Sequence, residues 1–158
     1  MKALNTLASS IGKGLVAGFA GTAAMTASST LEAKLRGRAP SSAPARATAK
    51  MLGIREFEDD HARARFNDLS HWGYGTSWGV VRGLLAATGM PSKKATVAHG
   101  AAIYGAAQVT LPALEVAPPA VFWPKEEIAI DAFHHAVYAA ATGMAYELIA
   151  GRRAGDNG

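Results

Sequence analysis

The chain has 158 residues, of which 49% are hydrophobic and 18% charged, with a net charge of +4 and no cysteine. That length suits a single domain, and the missing cysteine excludes disulfides, thiolate metal sites and a cysteine nucleophile. Acids alternate with bases between Arg55 and Asp68, a pattern that excludes a nucleic-acid groove there, since carboxylates would repel the phosphate backbone.

The mean hydropathy, +0.08, does not by itself mark a membrane protein. The distribution is more informative, because charges concentrate between Glu32 and Asp68 and long stretches elsewhere have none. After a short leader carrying Lys2 and Lys13, Gly14 to Leu31 runs 18 residues without a charge. Gly14, Gly18 and Gly21 stand there with Ala17, Ala20, Ala24 and Ser28 at helical spacing. Small residues three and four apart let helix backbones approach closely. A cleaved signal peptide is the alternative for this stretch.

A polar connection follows, from Leu31 to Asp68, punctuated by Pro40 and Pro44. Within it Pro44 to Leu52 suits a short surface helix, with Ala47, Met51 and Ile54 on one side and Arg46, Lys50 and Arg55 elsewhere. Such a helix lies either at lipid headgroups or in solvent. Leu69 to Ser92 reads as the next long helix, with Gly75, Gly79 and Gly83 four apart on one face and Trp72, Tyr74 and Trp78 near one end. Ala95 to Leu114 is 20 residues without Asp, Glu, Lys or Arg, though His99, Tyr104 and Gln108 interrupt it. That length matches a bilayer core. A proline-rich turn from Glu115 to Glu127 leads to a last helix, Ile128 to Ala150, closed by Arg152 and Arg153.

One pattern occurs twice. His71-x-x-Tyr74-x-x-x-x-Gly79 and His135-x-x-Tyr138-x-x-x-x-Gly143 are each preceded by an acid, Asp68 and Asp131. We therefore expect an all-α fold of four transmembrane helices, at about residues 10–34, 69–90, 95–114 and 127–151, with a long polar loop between the first two. The pattern suggests two tandem two-helix repeats, which would place His71 and His135 at equal depth on the same side. Lys2, Lys13, Lys93, Lys94, Arg152 and Arg153 would share one side of the membrane.

At His71-Trp72-Gly73-Tyr74-Gly75 and Phe133-His134-His135-Ala136-Val137-Tyr138 the chain resembles the YagU-like family of small bacterial inner-membrane proteins. The Gly-Leu-Val-Ala-Gly start at Gly14 and the proline-containing loop after it are similar too. The resemblance implies a multi-pass location in the inner membrane, and it brings no activity or catalytic residues with it.

The chemistry-bearing residues form two sets. Asp68, His71, Asp131, His134, His135 and Tyr138 are placed to form one polar cluster. On a helix Asp131 faces His135, and His134 faces Tyr138. Such a cluster would share a proton or a cation, or serve as a purely structural hydrogen-bond network. Arg82 and Glu147 lie at comparable distances beyond their histidines, so pairing would relieve two buried charges; snorkelling of Arg82 is the alternative. No nucleophile elbow, zinc motif or dinucleotide fingerprint is present. The expected function is a non-enzymatic helix-packing or accessory protein of a membrane, with the bilayer, other membrane proteins or a second copy as partners and no nucleic acid. A small transporter or proton- or cation-handling protein is the alternative. The sequence names no cofactor, leaving that question open, and no metal site is expected.

Overall fold

The computed structural model describes residues 2–39 and 41–151; Pro40, Arg152 and Arg153 lie outside them. The architecture is all-α. Among the described residues five helices follow one another: α1 (Lys2–Leu35), α2 (Ala43–Leu52), α3 (Asp60–Ala87), α4 (Ser92–Ala113) and α5 (Lys125–Ala150), with one 3-10 turn at Ala120–Phe122.

Local chemistry sets most of the boundaries. Gly37, Gly53, Gly89 and Gly151 take left-handed backbone conformations where chain segments turn out of a helix, conformations that cost glycine least. Pro91 and Pro124 immediately precede α4 and α5, since proline's missing N–H costs nothing at a helix start. α3 begins at Asp60, not near residue 69, because the Asp59 carboxylate accepts a hydrogen bond from the Ala62 amide at 2.6 Å and caps the helix. Of the alternating charges that look like loop in the sequence, those from Asp60 onward are therefore the solvated first turns of α3.

α1 is the central element. α3 and α5 pack on it, each running antiparallel to it: Gly14 meets Gly79 and Gly83, Gly21 meets Tyr138 and Thr142, and Thr26 reaches back to His71. α4 runs antiparallel to α5, with Thr96 at Gly143 and Gly100 at Ala139, and touches α3 through His99 and Ser92. α2 lies against α3 and the end of α4. It buries Ala45 while Met51 stays exposed.

Two expectations are overturned here. Among the described residues no helix is long and apolar enough to cross a membrane. The four membrane-spanning helices, the four-helix bundle and the multi-pass inner-membrane location are therefore corrected. Length is available, for α1 has 34 residues, but composition is not. Gly, Ala, Ser and Thr allow close packing yet contribute little to partitioning into hydrocarbon. α3 adds Asp68, His71 and Arg82, and α4 is interrupted by His99, Tyr104 and Gln108. The polar connection is also shorter than expected, since α3 already starts at Asp60, while the short helix expected within it is α2.

The interior is unusual in kind. The largest fully buried side chains are Arg82, Tyr138, His99, Thr22 and Thr142, while Phe19, Leu31, Val97, Val109, Phe133, Met144 and Leu148 are exposed. Close backbone approach along α1 leaves room on its buried face for glycine, alanine and threonine alone.

Candidate functional site

Arg82 is completely buried. One amino group, Nη2, donates to Glu147 Oε1 on α5 at 2.8 Å and to Ser92 Oγ on α4 at 3.3 Å. Its guanidinium carbon lies 4.4 Å from the centre of the Tyr146 ring, within cation–π range. The Nε and Nη1 groups of Arg82 have no partner among the described residues. The sequence places Arg82 and Glu147 at matching distances along two helices, and the structure brings them into contact because α3 and α5 run in the same direction along α1.

Five of the six residues expected in one polar cluster occupy three separate places, and the sixth, Tyr138, lies in the core apart from them. On the α3 side of α1, His71 Nε2 hydrogen-bonds Thr26 Oγ1 at 2.8 Å. Burial lowers the basicity of this imidazole, and the nearby Asp68 charge partly opposes the effect. On the α5 side of α1, His134 Nδ1 hydrogen-bonds Ser28 Oγ at 2.6 Å, and its Nε2 lies 3.7 Å from Glu32 Oε2. The Arg38 guanidinium beside Glu32 holds that carboxyl below its usual range. Arg36 joins Glu32 to Glu127 across the α1–α5 contact.

The third place lies between α4 and α5. His135 Nδ1 donates to the Asp131 backbone carbonyl at 2.8 Å, and Gln108 Nε2 donates to Asp131 Oδ2 at 3.1 Å. The Tyr104 ring stands edge-on to His135, with centroids 5.4 Å apart. His71 and His134 thus reach the same stretch of α1 from two helices, whereas His135 points to α4. The repeated pattern does not predict this, because adjacent positions on a helix differ by about 100° in direction. The two tyrosines also diverge. Tyr138 is buried and donates to the Gly75 carbonyl at 2.6 Å, and burial pushes its phenol up to about 12. Tyr74 is 40% exposed.

His99 belongs to the core more fully than any residue of the expected cluster. It is completely buried, its Nε2–H donates to the Trp78 carbonyl at 3.0 Å, and its ring packs on Tyr138. Its Nδ1 has no described partner. Burial depresses its pKa; the bond to the Trp78 carbonyl opposes this and the Arg82 charge adds to it. Among the described residues no three His, Asp or Glu side chains converge as a metal set.

These histidines give an expected pH response. The folded-state pKa values of His99 and His71 lie below the ordinary 6.5, so below that pH the unfolded chain binds more protons than the folded one. Stability should therefore fall as pH drops through 6.5 and level off above it. His99→Gln keeps an N–H donor toward Trp78 and should flatten the dependence. The check is the midpoint of thermal unfolding followed from pH 8 to 5; an equal slope in both proteins would remove His99 from the account.

The six glycines expected to mediate packing, Gly14, Gly18, Gly21, Gly75, Gly79 and Gly83, are all buried. A Cβ built on Gly18 would lie 2.9 Å from Gly79 Cα, and one on Gly79 would lie 2.8 Å from Gly18 Cα. The partners that sequence reasoning missed are the α1 hydroxyls. Thr22, Thr26 and Ser28 stand close together in the uncharged stretch of α1, and that cluster of hydroxyls was the available signal. No protein-family model matches the chain, and comparisons with curated proteins and with solved structures return no match.

Proposed function

We propose that the chain is a non-enzymatic helix-packing protein, an accessory component that associates through its outer helix faces, with a second copy as the partner. The observation that carries this is the distribution of side chains: small residues and a few polar groups occupy the helix interfaces while many large apolar residues line the outside. Exposed apolar area on this scale marks an interaction surface.

The outer row of α4 gives the contact its form. Val97, Ala101, Gly105 and Val109 lie four residues apart, both valines are more than 70% exposed, and a Cβ at Gly105 would meet nothing within 4 Å. A row with small residues at its centre and valines at both ends can pack on its own two-fold copy, with the small residues at the axis. The non-enzymatic part of the proposal draws on the scatter of the histidines, which sit in separate places against hydroxyl or carbonyl partners.

Ala101→Glu tests the proposal. Ala101 is exposed, so the substitution should leave helix content and unfolding unchanged while abolishing concentration-dependent association in analytical ultracentrifugation. A parent that stays monomeric across the accessible concentration range, or a variant that associates equally well, would overturn it.

A further inference from the structure

The two ends of the molecule differ sharply in charge. One end gathers the start of α1, the end of α3, the start of α4 and the end of α5, as Ser10 against Gly83 and Arg82 against Ser92 and Glu147 show. The described charges there are Lys2, Lys13, Lys93, Lys94 and the Arg82–Glu147 pair. Every other carboxylate among the described residues lies within 32–68 or 115–131, toward the opposite end. Since Glu147 is committed to Arg82, this end carries four lysines and no free carboxylate among the described residues. The helix dipoles do not alter the balance, because two amino ends and two carbonyl ends meet here.

A cavity of about 480 Å³ opens at this end. Asn5, Thr6, Ser9, Ser10 and Lys13 line it along α1, and Tyr146, the ring under Arg82, forms part of the opposite wall. The Thr6 hydroxyl donates to the Lys2 carbonyl at 3.1 Å. The side chains of Asn5, Ser9, Ser10 and Lys13 make no hydrogen bond to another described residue. Residues bearing an amide, two hydroxyls and an ammonium group thus line one space, with donors not committed to another described residue. A carboxylate offers two oxygens; a phosphate group offers three or more strong acceptors, together with greater charge.

We infer that this cavity binds a phosphate-bearing ligand, with Lys13 as the cationic contact and the hydroxyls and Asn5 amide as neutral donors. Lys93 and Lys94 at the start of α4 raise the local potential without touching the ligand. The chemistry is shared by free phosphate compounds and by the headgroup of an anionic phospholipid. Exposed Leu4 on α1 and Leu148 on α5 stand at the same end, where an acyl surface would lie if the phosphate belongs to a lipid.

Two titrations on the full chain separate the sources: inorganic phosphate by calorimetry, and sedimentation with vesicles of phosphatidylglycerol against vesicles of phosphatidylcholine. Binding in the first alone assigns a free phosphate; preference for phosphatidylglycerol without binding of inorganic phosphate assigns a headgroup. In whichever arm binds, Lys13→Glu should weaken affinity at least about tenfold, the loss expected for one charge-assisted hydrogen bond. Arg46→Glu, at the opposite end, should change nothing. Ser9→Asp, at an exposed position of the same cavity wall, gives a second variant whose folding is not at stake, and circular dichroism checks both. No binding in either arm would overturn the inference. So would affinity indifferent to Lys13→Glu and Ser9→Asp in folded protein.

Discussion

Glu147→Ala should destabilise the protein by about 3 kcal/mol, the largest loss expected from removing a single carboxylate here. Arg82 is fully buried, so removing its only anionic partner among the described residues leaves a guanidinium without compensation. The Glu147 side chain is 17% exposed, which admits some water and places the loss at the lower edge of the range for broken buried pairs. The reverse truncation behaves differently. Arg82→Met retains most of the volume over Tyr146, removes the two unpartnered N–H groups, and leaves Glu147 able to turn toward water. It should cost less than Glu147→Ala. Combining Arg82→Met with Glu147→Leu should recover most of the loss, because a buried ion pair is commonly no more stabilising than an apolar replacement of similar size. Urea unfolding of the three variants decides the matter. A loss below about 1 kcal/mol for Glu147→Ala would mean that Arg82 reaches water.

Gly79→Leu should be the most damaging substitution of all, at more than about 4 kcal/mol, a range reserved for the disruption of packed interiors. The physical reason is the absence of anything that can yield. A Cβ at residue 79 would overlap the Gly14 carbonyl and sit 2.8 Å from Gly18 Cα. These are backbone atoms of the central helix, so α1 and α3 must separate along their whole crossing. Even Gly79→Ala should cost about 1–3 kcal/mol, as overpacking does, although alanine favours a helix. Gly73 supplies the comparison within the same helix. A Cβ there meets nothing within 4 Å, so Gly73→Ala should stabilise by about 0.5–1 kcal/mol through helix propensity alone. Thermal unfolding of the two alanine variants should therefore shift in opposite directions. A shift in the same direction for both would show that the α1–α3 contact is looser than its geometry.

Local features were readable in the sequence by themselves. The all-α class followed from periodicity, and the packing faces followed from Gly14, Gly18, Gly21, Gly75, Gly79 and Gly83, because spacing of three and four fixes which residues share a helix side. The depth of Arg82 and Glu147 along their helices was legible for the same reason, since rise per residue is constant. What partners each face meets is a property of the assembled helices, and here the sequence misled. The doubled His-x-x-Tyr pattern suggested one polar cluster, yet His71 and His134 each went to a hydroxyl of α1 while His135, one position on, turned to α4. Membrane crossing was inferred from uncharged length, but length and apolarity are separate quantities: glycine and alanine supply the first with little of the second. Only tertiary structure decided that α1 would be central. Its glycines and hydroxyls complement α3 on one side and α5 on the other, and that selection depends on three surfaces fitting at once.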